Sequence, residues 1–290
     1  MYPASFEYHA AHSVDEAVAL LVEHGSDAKL IAGGHSLVPL LKLRFAQPAH
    51  LVDIRRIPNL GGIREEGGTI VIGAATTHTQ IERSDLLQRR LPIVAEAARQ
   101  IGDPQVRNMG TIGGSLAHAD PGADLPAVML AVDASFRATG RLGARTIAGR
   151  DFFVDVLTTA LEPNEVLTEI RIPVGFRRSG GAYEKHRHPA SGYALLGVAA
   201  FIALDGAQAI QEARIAVTGG GARAMRVEGA ERALIGQAAE ESVIERAADR
   251  VGTGIEVRGD LQGSAAYKTN LAVVHARRAI KRAVERASTV

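Results

Sequence analysis

Two glycine pairs place the tightest limits on how this chain can fold. Gly33-Gly34 directly follows Lys29–Ala32, a short segment typical of a buried strand, and Gly113-Gly114 lies within Thr111–Ser115, ahead of an apolar helical pattern. Glycine has no Cβ, so each pair permits a tight turn or a close backbone approach that other residues would block. Glycine supplies 31 of the 290 residues, about 11% where about 7% is usual. The sequence therefore predicts two loops whose backbone groups lie open.

Hydroxyl side chains accompany both glycine pairs, namely those of Ser36, Thr111 and Ser115. Phosphate oxygens need several donors within hydrogen-bond reach, so two such loops together suit a pyrophosphate. Neither G-x-G-x-x-G nor G-x-x-x-x-G-K-[ST] occurs, which argues against an ordinary Rossmann nicotinamide site and against a P-loop NTPase. A tight turn without a ligand is the alternative for each pair, and it is the favoured interpretation of Gly219–Gly221.

Composition excludes several classes of protein. The 33 basic and 32 acidic residues leave a formal charge of +1, which gives no reason to expect a nucleic acid or an anionic membrane as partner. The chain has no cysteine, so it can hold no disulfide, thiolate zinc site, cysteine nucleophile or Cys-ligated iron–sulfur cluster of its own. The N-terminal residues lack a signal-peptide pattern, and the longest apolar run, Tyr193–Leu204, is too short to span a bilayer. We therefore expect a cytoplasmic protein that is not an integral membrane protein.

Apolar periodicity predicts that short strands and helices alternate through the first half of the chain. A capping box, Ser13–Glu16, opens the first helix, and Gly25 closes it. The other predicted elements are strands at Lys29–Ala32, Leu51–Ile54, 62–64, Thr69–Ile72, Phe136–Thr139, Ala144–Ile147 and Val166–Ile172, helices at Thr77–Arg83, Pro92–Ile101 and Leu125–Val132 with Asp124 as N-cap, and a loop over Asn108–Ser115.

The second half of the chain follows a different plan. The polar stretch Gly175–Gly181 is the best candidate for a linker. Strands are predicted first and helices after them, which is typical of an α+β domain with its helices on one face of an antiparallel sheet. The predicted strands are Ala182–His186, Ala194–Leu204 and Ala213–Val217, and the predicted helices are Val227–Ile235, Glu241–Val251 and Asn270–Ala287.

Other polar residues give weaker signals for chemistry. His35, His118 and Asp120 could form a metal cluster, but no run has the ligand spacing of a zinc site. Asp120 with Asp124 is more typical of a turn and a helix start than of an acid–base pair, and His186-x-His188 is more typical of a solvated strand face. Ser36 and Ser115 lack a G-x-S-x-G elbow. We therefore predict no catalytic side chain and no metal site.

Five segments together resemble a known family. They are Ala32-Gly33-Gly34-His35-Ser36-Leu37-Val38-Pro39, Leu51-Val52-Asp53-Ile54, Gly110-Thr111-Ile112-Gly113-Gly114-Ser115, Asp120-Pro121 with Asp124-Leu125-Pro126-Ala127, and Tyr183-Glu184-Lys185. On these the chain resembles the FAD-binding medium subunits of the molybdenum hydroxylase (xanthine dehydrogenase) family, most closely those of the aerobic carbon monoxide dehydrogenase group. The resemblance covers nearly the whole chain.

The resemblance implies an α+β fold in two parts. Residues 1–176 would form a vanillyl-alcohol-oxidase-like (PCMH-type) FAD-binding domain, with subdomains at about 1–55 and 56–176. Residues 177–290 would form the C-terminal domain of these flavoproteins, a three-stranded antiparallel sheet with a helical bundle.

The resemblance also implies which residues bind FAD. Two segments would hold its pyrophosphate, the carboxylate of Asp124 would hydrogen-bond the cofactor, and the other single residues would approach or line the flavin. Lys185 would add positive charge that favours the reduced cofactor. The implied set is Lys29, Leu30, Ile31, Ala32, Gly33, Gly34, His35 and Ser36 in the first segment, Thr111, Ile112, Gly113, Gly114 and Ser115 in the second, and Ile101, Asp124, Leu167, Lys185 and Tyr193 singly.

In such a family the medium subunit carries electrons and does not touch the substrate. A large subunit with molybdopterin cytosine dinucleotide and molybdenum would oxidise it, and a small subunit with two [2Fe–2S] clusters would pass electrons to this FAD and on to an external acceptor. A dimer of heterotrimers is expected, with any membrane contact peripheral, through the acceptor. The resemblance leaves carbon monoxide, an aldehyde, a purine or an N-heterocycle open as substrate.

Two alternatives belong to other classes. A self-contained flavin oxidase or dehydrogenase would need a general base near the flavin, for which His118 and His186 are the candidates. A nucleotide-binding module without redox activity would bind the nucleotide and show no turnover with any electron donor.

Overall fold

A small parallel sheet with two helices begins the fold. The computed structural model describes residues 2–289. The sheet has three strands in the order β1-β3-β2. Its elements are β1 (Glu7–Ala10), α1 (Val14–His24), β2 (Ala28–Ile31), α2 (Leu37–Lys42) and β3 (His50–Asp53), with a 3₁₀ turn at Gly25–Asp27.

Helix α1 forms as its sequence predicts. The Ser13 hydroxyl accepts a hydrogen bond from the Glu16 amide at its start, and Gly25 ends it with a φ of +52°. One face of the helix buries Ala17, Val18 and Leu21, which belong to the same apolar cluster as Val52 of β3. The helix therefore covers one face of the sheet and leaves the carboxyl ends of the strands free to carry loops.

The next lobe is built on a five-stranded antiparallel sheet in the order β4-β5-β10-β6-β7. The helices between β5 and β6 pack on it and build the largest apolar core. The elements are β4 (Ile63–Glu66), β5 (Thr69–Gly73), α3 (His78–Glu82), α4 (Asp85–Arg90), α5 (Pro92–Arg99), α6 (Pro104–Met109), α7 (Ile112–His118), α8 (Asp124–Ala131), β6 (Ser135–Gly140), β7 (Gly143–Ala148), α9 (Gly149–Phe152), β8 (Phe153–Asp155), β9 (Thr158–Thr159) and β10 (Val166–Pro173).

The C-terminal part is a second antiparallel sheet followed by helices. Its elements are β11 (Ser179–Arg187), β12 (Ala194–Leu204), β13 (Ile210–Thr218), β14 (Met225–Arg226), α10 (Glu228–Leu234), α11 (Glu241–Thr253) and α12 (Ala265–Ser288). Every residue of β12 is buried, because alternate side chains enter different cores. Val198, Ala200 and Ile202 pack with the C-terminal helices, whereas Ala199 and Phe201 pack in the core of the preceding lobe. The α+β architecture is thus the predicted one. Among residues 2–289 no helix combines the length and apolar character needed to cross a membrane.

Four local predictions need correction. The segment 108–115 is not all loop: α7 starts at Ile112, since Thr111 caps it and Gly113 allows close contact with Ala74. Ala123, not Asp124, is the N-cap of α8, because the Asp124 side chain bonds elsewhere. Strand β11 begins at Ser179, within the predicted linker. The two-residue β14 adds a fourth strand to the predicted three.

Candidate functional site

The first glycine pair forms a tight loop at the carboxyl end of β2. Gly34 adopts a φ of +74°, in the left-handed region that favours glycine. Gly33 is required for another reason: a Cβ at this position would overlap the Met109 carbonyl oxygen and would lie 2.7 Å from the Gly110 Cα. The two glycine-rich segments, about eighty residues apart in the chain, therefore touch backbone to backbone, as their predicted common role requires.

Four consecutive amides in this loop have no acceptor within residues 2–289 of the protein. Among the described residues, the N–H groups of Gly33, Gly34, His35 and Ser36 donate to no acceptor. The loop keeps its shape by other bonds, since the His35 Nδ1 lies 2.9 Å from the Gly33 carbonyl oxygen and the Val38 amide donates to the Gly34 carbonyl oxygen at 2.9 Å. Beside it is a cavity of about 440 Å³, lined by Ile31, Ala32, Gly33, Gly34, His35, Val38, Pro39, Arg55 and Met109. Open amides beside a cavity of this kind suit phosphate oxygens.

Arg55 brings positive charge to the same cavity. Its guanidinium donates to the buried Asp53 carboxylate, with Nη2 to Oδ2 at 2.6 Å, and the Tyr8 hydroxyl donates to the same carboxylate at 2.6 Å. Burial alone would raise the pKa of Asp53, but hydrogen bonds from Arg55 and Tyr8 lower it below its ordinary value. Asp53 thus stays ionised and holds Arg55, whose side chain is 48% exposed, facing the cavity.

Arg55 is not among the site residues predicted from the sequence. The available signal was Asp53-x-Arg55 directly after β3, the strand that pairs in parallel with β2. Because the carboxyl ends of parallel strands meet at one edge of a sheet, an arginine there lies next to the loop that follows β2.

The second glycine pair has a different local role from the first. The amides of Ile112, Gly113 and Gly114 already donate, to the Thr76 and Ala74 carbonyl oxygens at 3.0 and 2.8 Å and to the Thr111 hydroxyl at 3.1 Å. A Cβ on Gly113 would lie 2.5 Å from that of Ala74, so this glycine serves packing. The predicted contact of Thr111–Ser115 with a pyrophosphate therefore depends on the hydroxyls of Thr111 and Ser115, since the amides of Ile112, Gly113 and Gly114 are occupied.

Tyr193 lies in the turn between β11 and β12. Tyr193 is 40% exposed; partial burial raises the pKa of its phenol above the ordinary value, the charge of Asp120 raises it further, and the nearby Ser36 side chain opposes both. A Cβ on Gly122 would lie 3.3 Å from the Tyr193 ring. Tyr193 also lines a second cavity of about 470 Å³, together with residues of the 120–122, 188–195, 219–222 and 258–268 segments. The phenol thus lies at this second cavity, close enough to Ser36 for that side chain to affect the pKa of the phenol.

Asp124 and Lys185 form a buried ion pair beneath Tyr193. Lys185 Nζ donates to Asp124 Oδ1 at 2.8 Å and to the carbonyl oxygens of Gln100 and Gly192 at 3.0 and 2.8 Å. The Tyr183 hydroxyl donates to the same carboxylate at 2.7 Å. Burial lowers the pKa of Lys185, and the negative charge of Asp124 offsets part of this shift. Burial raises the pKa of Asp124, and the positive charge of Lys185 offsets part of that shift. The pair ties the turns that carry Ile101 and Tyr193 to the start of α8.

The structure does not bring all the predicted site residues to one surface. Ile101 is partly buried, and Arg107 Nη1 donates to its carbonyl oxygen at 3.0 Å. Leu167 is 5% exposed and packs in the core of the five-stranded sheet, and Leu30 packs with the core of the first lobe. Lys29 is exposed on β2. Contact of these four residues with a ligand stays a prediction.

His78 is buried against the junction of the two glycine loops. Its amide donates to the Gly110 carbonyl oxygen at 3.0 Å, and its Nδ1 has no hydrogen-bond partner among the described residues. Burial, with smaller effects of His35 and Arg107, lowers its pKa from 6.5 to about 4. The folded chain therefore holds His78 neutral.

We expect His78 to make this region sensitive to acid. Well above pH 6.5 the imidazole is neutral in both states, but as the pH falls from 6.5 toward 4 the unfolded chain takes up a proton before the folded chain does. The free energy of unfolding should fall by about 3 kcal/mol between pH 7 and pH 4 through this group alone. In urea titrations at several pH values, His78→Leu should remove that part of the loss, and the exposed His12→Leu should not. Identical pH profiles for wild type and His78→Leu would contradict this assignment.

Neither base considered for a self-contained flavoenzyme lies at these cavities. His186 lies beside Tyr267, with Nε2 3.5 Å from its hydroxyl, and His118 ends α7. In the part of the chain that the structure describes, neither lines the 440 or the 470 Å³ cavity. The structure thus gives no support to His118 or His186 as a base at either cavity.

Comparison with known proteins identifies the family. Residues 4–175 match the FAD binding domain in molybdopterin dehydrogenase, and residues 181–283 match the CO dehydrogenase flavoprotein C-terminal domain. The chain is 48% identical to the carbon monoxide dehydrogenase medium chain of Hydrogenophaga pseudoflava over 98% of each. It is 41% identical to the 6-hydroxypseudooxynicotine dehydrogenase complex subunit alpha of Paenarthrobacter nicotinovorans, over 99% of this chain and 97% of that one.

Solved structures agree in fold over the full length. A chain of the Hydrogenophaga pseudoflava carbon monoxide dehydrogenase superposes with a TM-score of 0.96 at 50% identity, covering 99% of both chains. A chain of quinoline 2-oxidoreductase from Pseudomonas putida 86 superposes with a TM-score of 0.92 at 33% identity, again over 99% of both. The resemblance inferred from the glycine-rich segments is thereby confirmed. This chain belongs to the family of FAD-binding medium subunits of molybdenum-containing dehydrogenases, and it is an oxidoreductase flavoprotein subunit of the carbon monoxide dehydrogenase type.

Proposed function

We propose that this chain takes electrons from a [2Fe–2S] subunit of a molybdenum hydroxylase complex and passes them, through FAD, to an external acceptor. The observation that carries the proposal is the loop of four unpaired amides beside Arg55, in a chain whose family is a flavoprotein subunit. Bound FAD supplies the redox chemistry, since it can exchange electrons with iron–sulfur clusters and with two-electron acceptors. The chain's own residues supply binding, orientation and electrostatics.

The residues at the first loop fit the pyrophosphate of FAD. The amides of Gly33, Gly34, His35 and Ser36 offer donors without an intervening protein acceptor, and Arg55 offers a positive charge held in place by Asp53. Charge-assisted bonds of this kind are the stronger class of hydrogen bond. Thr111 and Ser115 would add hydroxyl donors from the second segment. Tyr193, which lines the second cavity, would contact the flavin end of the cofactor.

The absence of cysteine supports a division of labour between chains. With no thiolate, this chain cannot ligate a [2Fe–2S] cluster, so the clusters would lie in a small partner subunit and the molybdopterin cytosine dinucleotide in a large one. We propose a dimer of heterotrimers in the cytoplasm as the complete assembly.

The substrate of the complex would be chosen by the large subunit. Relatives of this chain belong to dehydrogenases named for carbon monoxide, 6-hydroxypseudooxynicotine and glyceraldehyde, at 48%, 41% and 34% identity over nearly full length. Chains similar in sequence to this one thus occur in dehydrogenases named for different substrates, as expected of a subunit that handles only electrons. Carbon monoxide names the dehydrogenase of the 48% identical relative and of a further relative from Afipia carboxidovorans at 43% identity, and we take it as the first substrate to test.

Arg55→Gln should weaken FAD binding by about tenfold to a hundredfold, because one charge-assisted bond to a phosphate is worth about 1.5–3 kcal/mol. Raising the salt concentration should narrow the difference in FAD affinity between wild type and Arg55→Gln, since screening weakens the contact of Arg55 with the phosphate. The dissociation constant can be measured from the quenching of flavin fluorescence during titration of the apoprotein. Arg56→Gln is the matched control, because Arg56 is also exposed and does not line the cavity. Equal affinities of the Arg55 and Arg56 variants would exclude Arg55 from the site.

The subunit assignment can be tested by mild affinity purification of this chain from its native cells. We expect FAD, a cysteine-containing iron–sulfur chain and a large molybdenum chain to co-purify. A chain that purifies alone, with FAD that a small organic substrate reduces directly, would favour the self-contained flavoenzyme instead.

A further inference from the structure

Three histidines from three elements meet on the first lobe, away from the glycine loops. They are His9 on β1, His24 at the end of α1 and His50 at the start of β3. One ring nitrogen of each lies within 4.8 Å of the others. His9 Nε2 is 3.1 Å from His50 Nδ1, and the rings of His24 and His50 stack with centroids 3.7 Å apart. All three residues are partly buried.

The fold explains the meeting of these side chains. Glu7 pairs with His50 in the parallel register of β1 and β3, and since side chains alternate along a strand, Glu7, His9 and His50 share one face of the sheet. The same face carries Val52, on which α1 packs. The ring of His24, the last residue of α1, therefore stacks on that of His50. Asp53 and Arg55 lie toward the carboxyl ends of the strands, so the histidine cluster is separate from the glycine loop.

A carboxylate completes the set of donors. Glu7 Oε2 lies 3.5 Å from His50 Nδ1 and 4.0 Å from His9 Nε2. In a tetrahedral zinc site with bonds of about 2.0–2.1 Å, neighbouring ligand atoms are about 3.3 Å apart, close to the 3.1 and 3.5 Å observed here. Imidazole nitrogens with a carboxylate favour zinc, copper, nickel or cobalt over magnesium and calcium.

We propose that Glu7, His9, His24 and His50 bind one divalent transition-metal ion of the zinc class. The ion would cross-link β1, α1 and β3 and so stabilise the lobe that carries the first glycine loop. Binding would turn the His24 ring out of its stack with His50 and would bring the exposed Glu7 carboxylate closer to His9. The sequence analysis predicted no metal site here, because the three histidines are 15 and 26 residues apart and match no ligand motif.

Zinc titration of the full chain, made without a histidine tag and treated with chelator, tests this proposal. By calorimetry we expect one equivalent of Zn²⁺ to bind wild type and to raise its melting temperature. Co²⁺ should give the visible absorption of a tetrahedral ion with nitrogen and oxygen ligands. His50→Gln should lose the binding, and His12→Gln, an exposed histidine near His9, should keep it.

Two outcomes would overturn the proposal: no binding of one equivalent by wild type, or unchanged binding by a folded His50→Gln. If His50→Gln does not fold, Glu7→Gln decides, because this side chain is 74% exposed and its loss should not disturb the fold. A weaker affinity of Glu7→Gln for Zn²⁺ supports the site, and an unchanged affinity overturns it.

Discussion

Gly33→Ala should lower the affinity for FAD by at least about tenfold, a change of about 1.4 kcal/mol in binding free energy. The added methyl would overlap the Met109 carbonyl oxygen, a backbone atom that cannot rotate away. The two glycine segments would have to separate, which would displace the four unpaired amides of the first loop. Gly33 does not have a positive φ, so the effect would come from the contact and not from backbone strain. The free energy of unfolding should fall by about 1–3 kcal/mol, as for other overpacked sites.

Gly206→Ala provides the control for this substitution. Gly206 also lacks a positive φ, and no atom lies within 4 Å of the position that its Cβ would take. The variants should be compared by flavin content after purification and by titration of the apoprotein with FAD. If Gly33→Ala binds FAD as tightly as Gly206→Ala does, the contact between the loops has no part in cofactor binding.

Lys185→Met should destabilise the protein by about 3–5 kcal/mol, because it leaves a buried carboxylate without its counter-ion. The Lys185 side chain is 2% exposed and that of Asp124 is 4% exposed, so water cannot replace the lost partner. The carbonyl oxygens of Gln100 and Gly192 would lose their donor as well. Gln100 and Gly192 directly precede Ile101 and Tyr193, two residues predicted to contact FAD. We therefore expect FAD binding to weaken along with stability. Denaturant unfolding and FAD titration measure the two effects.

Two comparisons separate the ion pair from the loss of a lysine in general. Lys42→Met removes an exposed lysine near the end of α2 and should change stability by less than about 0.5 kcal/mol. The double variant Lys185→Met/Asp124→Asn, which keeps an acceptor for the Tyr183 hydroxyl, should recover part of the stability lost in the single variant. A double variant no more stable than Lys185→Met would show that the backbone bonds of Lys185, and not the charge of Asp124, dominate.

Much of the fold could be predicted because its signals are local. Helix α1 follows from the hydroxyl of Ser13, an apolar stripe and Gly25, all within thirteen residues. The hairpin β6–β7 and the long strand β12 follow from alternation and from continuous apolar character. The segment 108–115 was harder, because two glycines oppose a helix locally and only the packing of Gly113 on Ala74 and the Thr111 cap stabilise one there.

Prediction of the site depended on contacts across the chain, where local patterns have little power. The glycine pairs predicted two backbone loops but could not show that Gly33 touches Met109, or that the amides of Ile112, Gly113 and Gly114 are already occupied. Asp124 has the pattern of an N-cap, and only the fold brings Lys185 and Tyr183 to it. Arg55 and the three-histidine cluster likewise depend on the parallel register of β1, β2 and β3.

Anaerobic mixing of the FAD-loaded chain with its iron–sulfur subunit tests the central claim most directly. The small subunit would be reduced beforehand with dithionite, the excess reductant removed, and the flavin absorbance followed after mixing. We predict that the reduced subunit bleaches the flavin and that carbon monoxide or glyceraldehyde, added to the FAD-loaded chain alone, does not. Flavin that stays oxidised with the reduced subunit, or that an organic substrate reduces in the isolated chain, would contradict the assignment of this protein as an electron-transfer subunit.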